Sequence, residues 1–491
     1  MSINNIAIVA TIATAIIFST IGVLHVRGMR ISLEDFLTQR NSVGAWAGLS
    51  TVVASVAGSW ILFAPGETGT WAGIMGLIGY ALGQAAPLGA IAFIGPRMKR
   101  LMPEGHSLTE YVWCRFGSGM YLLALLVMVF YMFIYLAAEL TGISLAFGLI
   151  VEVPLWLSAS IVAMATVAYT SYGGIKATIF TDKIQFLIML PLLAVVLLIL
   201  ASKLGGLSQG FDSDLITDSQ LLSFTHIPGI KFGLTLLVAI LAADMFHQGF
   251  WQRVYACKDE KTLSRVFFIS AIIVIPLVFL SGVFGIAAVG MGMPADSASV
   301  ALFWLILETI PPWVLILAII LALILVMSSM DTLLSGIVST LTSDLHRLRP
   351  DFSNSDLLRI SRIVTVFLGF PAVFIASQGY SVLYLFLLAD LLCAGCVFPV
   401  FYGLFDKRIS GSIAIVSSVS GIIAGALFFP KSDFSPWLDI PFGGDFLVSF
   451  GIAVIVSAVM ALVATWLNRM LGSGGEFQFK ELRERIRLMQ D

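Results

Sequence analysis

Six carboxylates fall inside or at the edges of long apolar runs: Glu67, Glu139, Asp182, Asp244, Asp331 and Asp390. An ionisable group in hydrocarbon is costly and usually marks a pathway or a binding site. The basic residues nearest to them, Lys183 and Lys231, sit at the ends of runs, where a long side chain can reach water. Acid without matching base predicts that the partner is a cation taken from solution. Edge placement or helix capping is the alternative for each, most of all for Asp244 and Asp390.

Ser328, Asp331, Thr332, Ser335, Ser339, Thr342 and Ser343 recur every three or four residues, so on a helix they form one polar stripe. Small hydroxyl residues hold membrane helices together, which accounts for part of the stripe. It does not account for a carboxylate in its middle. Hydroxyls, carbonyls and one carboxylate suit a hard cation such as Na+. The stretch ASVAGSWILFAPGETG, from Ala54 to Gly69, predicts a helix broken at Pro65 and Gly66. A break near the midplane offers carbonyls and helix ends to ions and solutes. Glu67 then either caps the outer half-helix, whose dipole favours negative charge, or contacts solute. Five runs later, DMFHQGFWQR (Asp244 to Arg253) predicts a second interruption. Trp60, Phe246 and Trp251 wall a solute cavity on this reading, with plain aromatic packing as the alternative. His247 either packs and hydrogen-bonds or carries a proton.

These groups need elements that cross a membrane. Hydrophobic residues make up 59% of the 491 and charged residues 11%, against about a quarter charged in a soluble domain. Apolar runs lie near 5–26, 43–67, 71–95, 119–148, 154–172, 177–202, 229–250, 265–292, 312–344, 358–377, 381–404, 411–429 and 445–468. Each can cross about 30 Å of hydrocarbon as a helix. The expected class is therefore an all-α membrane protein of about thirteen spans. The first run has no basic flank or cleavage pattern, so it reads as a permanent span. All but Lys203, Lys231 and Lys431 of the 27 Lys and Arg fall in alternate loops, which predicts an outer N-terminus and an inner C-terminus. The loop at 203–228 and an amphipathic segment at 293–311 are the longest outer pieces, the latter placed over an external vestibule. Phe477, Leu482, Ile486 and Leu488 make the tail an inner-surface helix.

The net charge of −2 suggests no nucleic-acid partner. Cys393 and Cys396 have CxxC spacing without further ligands nearby and read, with Cys114 and Cys257, as packing thiols. No Walker A sequence, nucleophile elbow or HExxH appears, which argues against a primary pump or an intramembrane protease. A non-enzymatic carrier without organic cofactor is expected.

The run YTSYGGIKATIFTDKIQ, Tyr169 to Gln185, resembles the signature of the sodium/solute symporter family, and Ala54-Ser55, Val326 to Ser329 and Thr342 to Leu345 support the likeness. It covers roughly 35–410. The resemblance implies a LeuT-type core of inverted five-helix repeats, at 43–202 and 203–410. Around it lie an N-terminal span and loop (1–42), two C-terminal spans (411–468) and a tail (469–491). It implies Na+ held by the carbonyls of Ala54, Ala57 and Leu325 and the hydroxyls of Ser328 and Ser329. Members with a second sodium use positions that match Asp182, Ser328, Asp331 and Thr332 here. Asp331 stands where Ser is frequent, so a second Na+, a proton and a structural charge all remain open. Trp60, Glu67, Glu139, Phe246, His247 and Trp251 are the candidate solute contacts. The implied function is Na+-coupled symport of a small polar solute, with urea or an amino acid foremost, in a bacterial inner membrane. Homo-oligomers are compatible with it. Proton coupling through Asp182, Asp331 or Glu139 is the nearest rival; a passive channel or a solute-sensing module stands further off.

Overall fold

Hydrocarbon offers a backbone no hydrogen-bond partner, so a chain this apolar must satisfy its amides within helices. The computed structural model describes residues 3–29, 32–204, 219–349, 351–471 and 475–485. The first half comprises α1 (Ile3–Val26), α2 (Leu33–Leu37), α3 (Ala45–Val56), α4 (Ala64–Leu101), α5 (Leu108–Phe116), α6 (Ser118–Val151) and α7 (Leu155–Lys203). The second comprises α8 (Ile227–Asp244), α9 (Gln248–Ala256), α10 (Glu260–Gly290), α11 (Ala301–Thr309), α12 (Pro312–Leu348) and α13 (Asn354–Ala376). It closes with α14 (Val382–Tyr402), α15 (Gly411–Ala426), α16 (Phe446–Met470) and α17 (Lys480–Arg485). Among the described residues, ten helices are long and apolar enough to cross a membrane.

Two of the ten are each a pair of helices joined at a kink. Gly73 (φ 60, ψ −158) interrupts α4 and Gly174 (φ 53, ψ −148) interrupts α7, conformations that residues other than glycine adopt only with strain. The segments expected at 71–95 and 177–202 fall on the halves that follow. A side chain at 174 would also stand 2.5 Å from the Phe36 carbonyl. Gly174→Ala is therefore expected to cost at least about 1–3 kcal/mol in backbone strain alone. A shrunken monodisperse peak in size-exclusion chromatography of detergent-solubilised protein would report it.

The break in the first half does not lie at Pro65 and Gly66. α3 ends at Val56, Ser59–Leu62 forms a 3-10 turn, and Pro65 sits in the first turn of α4. Proline is compatible there because first-turn amides have no intrahelical partner to lose. The second interruption does fall between α8 and α9, at Met245 to His247. At each break an indole caps a carbonyl: Trp60 Nε1 donates to Val56 O (2.9 Å) and Trp251 Nε1 to Met245 O (2.8 Å). Over the first break lies α11, Phe303 stacking on Phe63 at 5.2 Å. The outer loop expected at 203–228 lies largely outside the described residues. So do Ile486 and Leu488, while Leu482 is buried on the bundle and not spread on a surface.

α9 is held from one end of the bundle. Gln252 Nε2 donates to Leu37 O (2.7 Å), and Gln248 bonds His106 O (2.7 Å) and Leu108 N (3.1 Å). Burial disfavours charge on His106, yet its ring nitrogens face Glu110 (3.2 Å) and Glu34 (2.7 Å), which raise it from 6.5 to about 9. Burial would raise Glu34, but His106, Arg40 and Thr38 hold it down at about 2. A raised histidine stabilises fully below 6.5 and loses its contribution as pH climbs through 9; the depressed Glu34 acts above 4.5 and fails toward 2. His106→Gln should therefore lower the thermal midpoint most near pH 6, and the gap to the parent should close by about pH 10. Unfolding scans in detergent across that range check it.

Candidate functional site

The first break frees carbonyls. In an unbroken helix Ala54 O would accept from Gly58 N–H and Ala57 O from Ile61 N–H. Here Gly58 N–H donates to Val56 O (2.9 Å) and Ile61 N–H to Gly58 O (3.3 Å). Glu139, from α6, accepts from Ser59 N–H (2.8 Å) and Ser59 Oγ (2.5 Å), which fixes the turn that follows. From α12, Ser328 Oγ lies 3.0 Å from Ala54 O, and Ser329 Oγ lies 3.3 Å from Leu325 O. A carbonyl of α3 and a hydroxyl of α12 thus meet in buried surroundings beside the break, and oxygens of these kinds fit Na+. Ala57 stands at the break itself (φ −77, ψ 79), its carbonyl released from the helix direction.

The polar stripe of α12 divides by height. Thr342 Oγ1 pairs with Ser361 Oγ (2.6 Å) on α13, and Ser339 Oγ lies 3.4 Å from Leu37 O. That half joins elements together. The other half faces Asp182 of α7: Ser328 Oγ lies 2.8 Å from Oδ1, and Thr51 Oγ1 donates to Oδ2 (2.5 Å). Asp331 accepts from the Tyr169 hydroxyl (2.7 Å) and stands 3.4 Å from Thr181 Oγ1. Sequence reasoning put Arg253 in a loop and left these acids without a base. The structure corrects this: Arg253 is 1% exposed and its Nη2 lies 3.1 Å from Asp182 Oδ2 and 2.9 Å from Thr332 Oγ1.

Beside the break lies a narrow cavity lined by Trp60, Tyr80, Gln84, Tyr131, Tyr135, Phe386, Asp244, Asp390 and several aliphatic side chains. Trp60 and Tyr80 stack at 5.7 Å, and Tyr135 meets Phe386 edge-on at 4.8 Å. Asp244 accepts from the Tyr131 hydroxyl (2.5 Å). Asp390 has no hydrogen-bond donor among the described residues, and no Lys, Arg or His joins the lining. Asp244, the last residue of α8, and Asp390, inside α14, are therefore both wall groups of this cavity.

Of the expected solute contacts, Trp60 lines this cavity. His247 stands behind the wall, stacked on Phe250 at 4.3 Å and edge-on to Tyr135 at 5.9 Å. Glu139 is engaged with Ser59. Glu67 makes no cap bond and accepts from Ser381 Oγ on the rim of α14 (2.9 Å). Phe246 and Trp251 do not reach the cavity; both pack on Phe401, at 6.0 and 5.9 Å. Sequence reasoning missed Tyr80, Gln84, Tyr131, Tyr135 and Phe386. The i, i+4 spacing of Tyr131, Tyr135 and Glu139 was the available signal, because it places all three along one helix face.

The profile described as the sodium:solute symporter family matches residues 36–421. A spermidine transporter of Candida albicans is 30% identical over 380 residues, 76% of this chain and 70% of that protein. A sodium/glucose cotransporter of Vibrio parahaemolyticus is 24% identical, covering 89% of this chain and 86% of its own length. A urea-proton symporter of Oryza sativa is 22% identical, and the match spans 78% of this chain and 57% of that longer one. Among solved structures, an outward-open, substrate-bound Na+-coupled sialic acid symporter superposes with a TM-score of 0.77 at 21% identity, over 95% of this chain and 98% of that one. A nucleobase-cation-symport-1 transporter in a closed conformation gives 0.54 at 16% identity, over 91% and 97%. The fold is thus the all-α LeuT type.

Proposed function

We infer that this chain, which belongs to the sodium:solute symporter family, carries a small organic cation of the polyamine kind together with Na+. Na+-coupled symport of a small solute is the activity of its class. The reading of the solute rests on one observation: two buried carboxylates and a set of aromatic rings share a cavity that has no basic residue. An ammonium group satisfies both features, since carboxylates accept its hydrogen bonds and ring faces attract its charge. The Candida relative named for spermidine transport supports this chemistry. Urea is the second reading, favoured by the Oryza relative and by the acceptors in the same wall.

Na+ binds where the broken α3 meets α12, held by Ala54, Ala57, Leu325, Ser328 and Ser329. Trp60 lies one turn beyond Ala57, so ion and solute share the same irregular backbone. Ion binding that orders this backbone favours one state over another, and differential affinity bounds the coupling. The solute cavity, the two repeats at 43–202 and 203–410 and the Na+ ring then move as alternating-access parts of an inner-membrane carrier with its N-terminus outside. An inside-negative potential adds about 2.3 kcal/mol per charge per 100 mV, and a cationic solute gains from it as Na+ does.

The test is uptake into proteoliposomes of labelled spermidine, urea and glucose, with and without an inward Na+ gradient and with a pH gradient alone. Spermidine accumulated only under the Na+ gradient is the expected result. Urea accumulation without spermidine uptake would overturn the solute, and accumulation driven by protons alone would overturn the ion.

A further inference from the structure

Positions that match a second cation site in this family are already taken up by a side chain. Asp182, Ser328, Asp331 and Thr332 are fully buried, and the guanidinium of Arg253 lies among them. Its Nη2 meets Asp182 Oδ2 at 3.1 Å and Thr332 Oγ1 at 2.9 Å, its Nε meets Thr51 Oγ1 at 3.1 Å, and its Nη1 donates to Gly249 O at 3.0 Å. The last bond is made one turn back on its own helix, so the guanidinium is held by α9 as well as by α3, α7 and α12. Asp182 also accepts from Thr51 at Oδ2 and from Ser328 at Oδ1.

We propose that Arg253 is a resident counter-ion standing where a second Na+ would bind, and that it limits the protein to one Na+ per solute. Two features carry this. A second metal ion would have to share Asp182 and Thr332 with a guanidinium already in contact with both, at a separation where like charges repel strongly in a buried site. The guanidinium is also tied to Gly249 O on its own helix, which holds it at that position. Asp331 meanwhile is held by the hydroxyls of Tyr169, Thr181 and Thr332. The guanidinium reaches the first ion too. Ser328 Oγ stands between Ala54 O and Asp182 Oδ1, so the charge on Asp182 that Arg253 balances is one bond away from a Na+ ligand.

The inference rests on Na+ being the bound ion but not on which solute is carried, and direct Na+ binding to purified protein without solute keeps the two apart. Equilibrium binding of labelled Na+ should saturate near one ion per parent protein. Arg253→Gln removes the cation and should admit a second ion, with binding rising toward two per protein and a steeper dependence of solute uptake on Na+. Arg253→Lys keeps a cation and should stay near one. Two ions bound by the parent overturn the proposal outright. So does Arg253→Gln that binds one ion with parental affinity. If Arg253→Gln yields no folded protein, the parent ratio and Arg253→Lys still decide: one ion in both upholds the proposal, and two in either ends it.

Discussion

Asp390→Asn is expected to raise the spermidine concentration for half-maximal Na+-driven uptake by about 30-fold or more. Removing one partner of a buried, hydrogen-bonded charge pair costs about 2–5 kcal/mol, and each 1.4 kcal/mol is tenfold in affinity. The carboxylate of Asp390 is 4% exposed and, among the described residues, has no donor of its own, so a bound ammonium would be its main partner. Asp244→Asn should have a smaller effect, because Tyr131 already donates to that carboxylate. The asymmetry is itself a test. Thermal stabilisation by Na+ should survive in Asp390→Asn, which separates lost solute recognition from lost ion binding. Unchanged spermidine affinity in Asp390→Asn would remove the cavity from the solute path.

Ser328→Ala is expected to have the second large effect, on the ion. Its hydroxyl lies 3.0 Å from Ala54 O and 2.8 Å from Asp182 Oδ1, so this side chain touches both the freed carbonyl and the buried acid. A hydrogen-bonding group facing a charge is worth about 1.5–3 kcal/mol, so half-saturation by Na+ should rise by about 10- to 150-fold. Protection by a ligand scales as RT ln(1 + [L]/Kd). The Na+-dependent rise in unfolding temperature should then shrink or vanish at a Na+ concentration that saturates the parent. Ser329→Ala should move the same readout in the same direction. Spermidine binding measured without Na+ should change little in either, since neither residue lines the solute cavity.

The break shows how local signals mislead. Pro65 and Gly66 are the residues a sequence reader marks, yet the helix yields at Ala57 and Gly58, eight residues earlier in the chain. Nothing local compels that position. Glu139 from α6 accepts the Ser59 amide there, a contact that exists only once the helices have assembled, and Trp60 adds a local cap on Val56 O. Arg253 shows the same thing for charge. A basic residue after an apolar run counts as a loop residue under the positive-inside rule. The interruption at Met245 to His247 turns α9 back among its neighbours, where Asp182, far away in the chain, supplies the balancing charge. Phe246 and Trp251 looked like cavity walls because aromatics suit both walls and cores; only packing on Phe401 assigns them to the core.

What the sequence determined by itself is the class of molecule and the location of its costly groups. Hydrocarbon permits only helices and closed barrels, and continuous apolar runs of about 20 residues select helices, so the fold is all-α and a carboxylate inside a run must face the interior. The polar stripe from Ser328 to Ser343 follows from the same penalty. Tertiary structure alone decided which acid meets which partner: Asp182 a guanidinium, Asp331 hydroxyls, Glu139 a helix end, and Asp244 and Asp390 a shared cavity. The physical reason is that the cost of burying a charge depends on its own helix, whereas its neutralisation depends on distances between helices, which no run of neighbouring residues encodes.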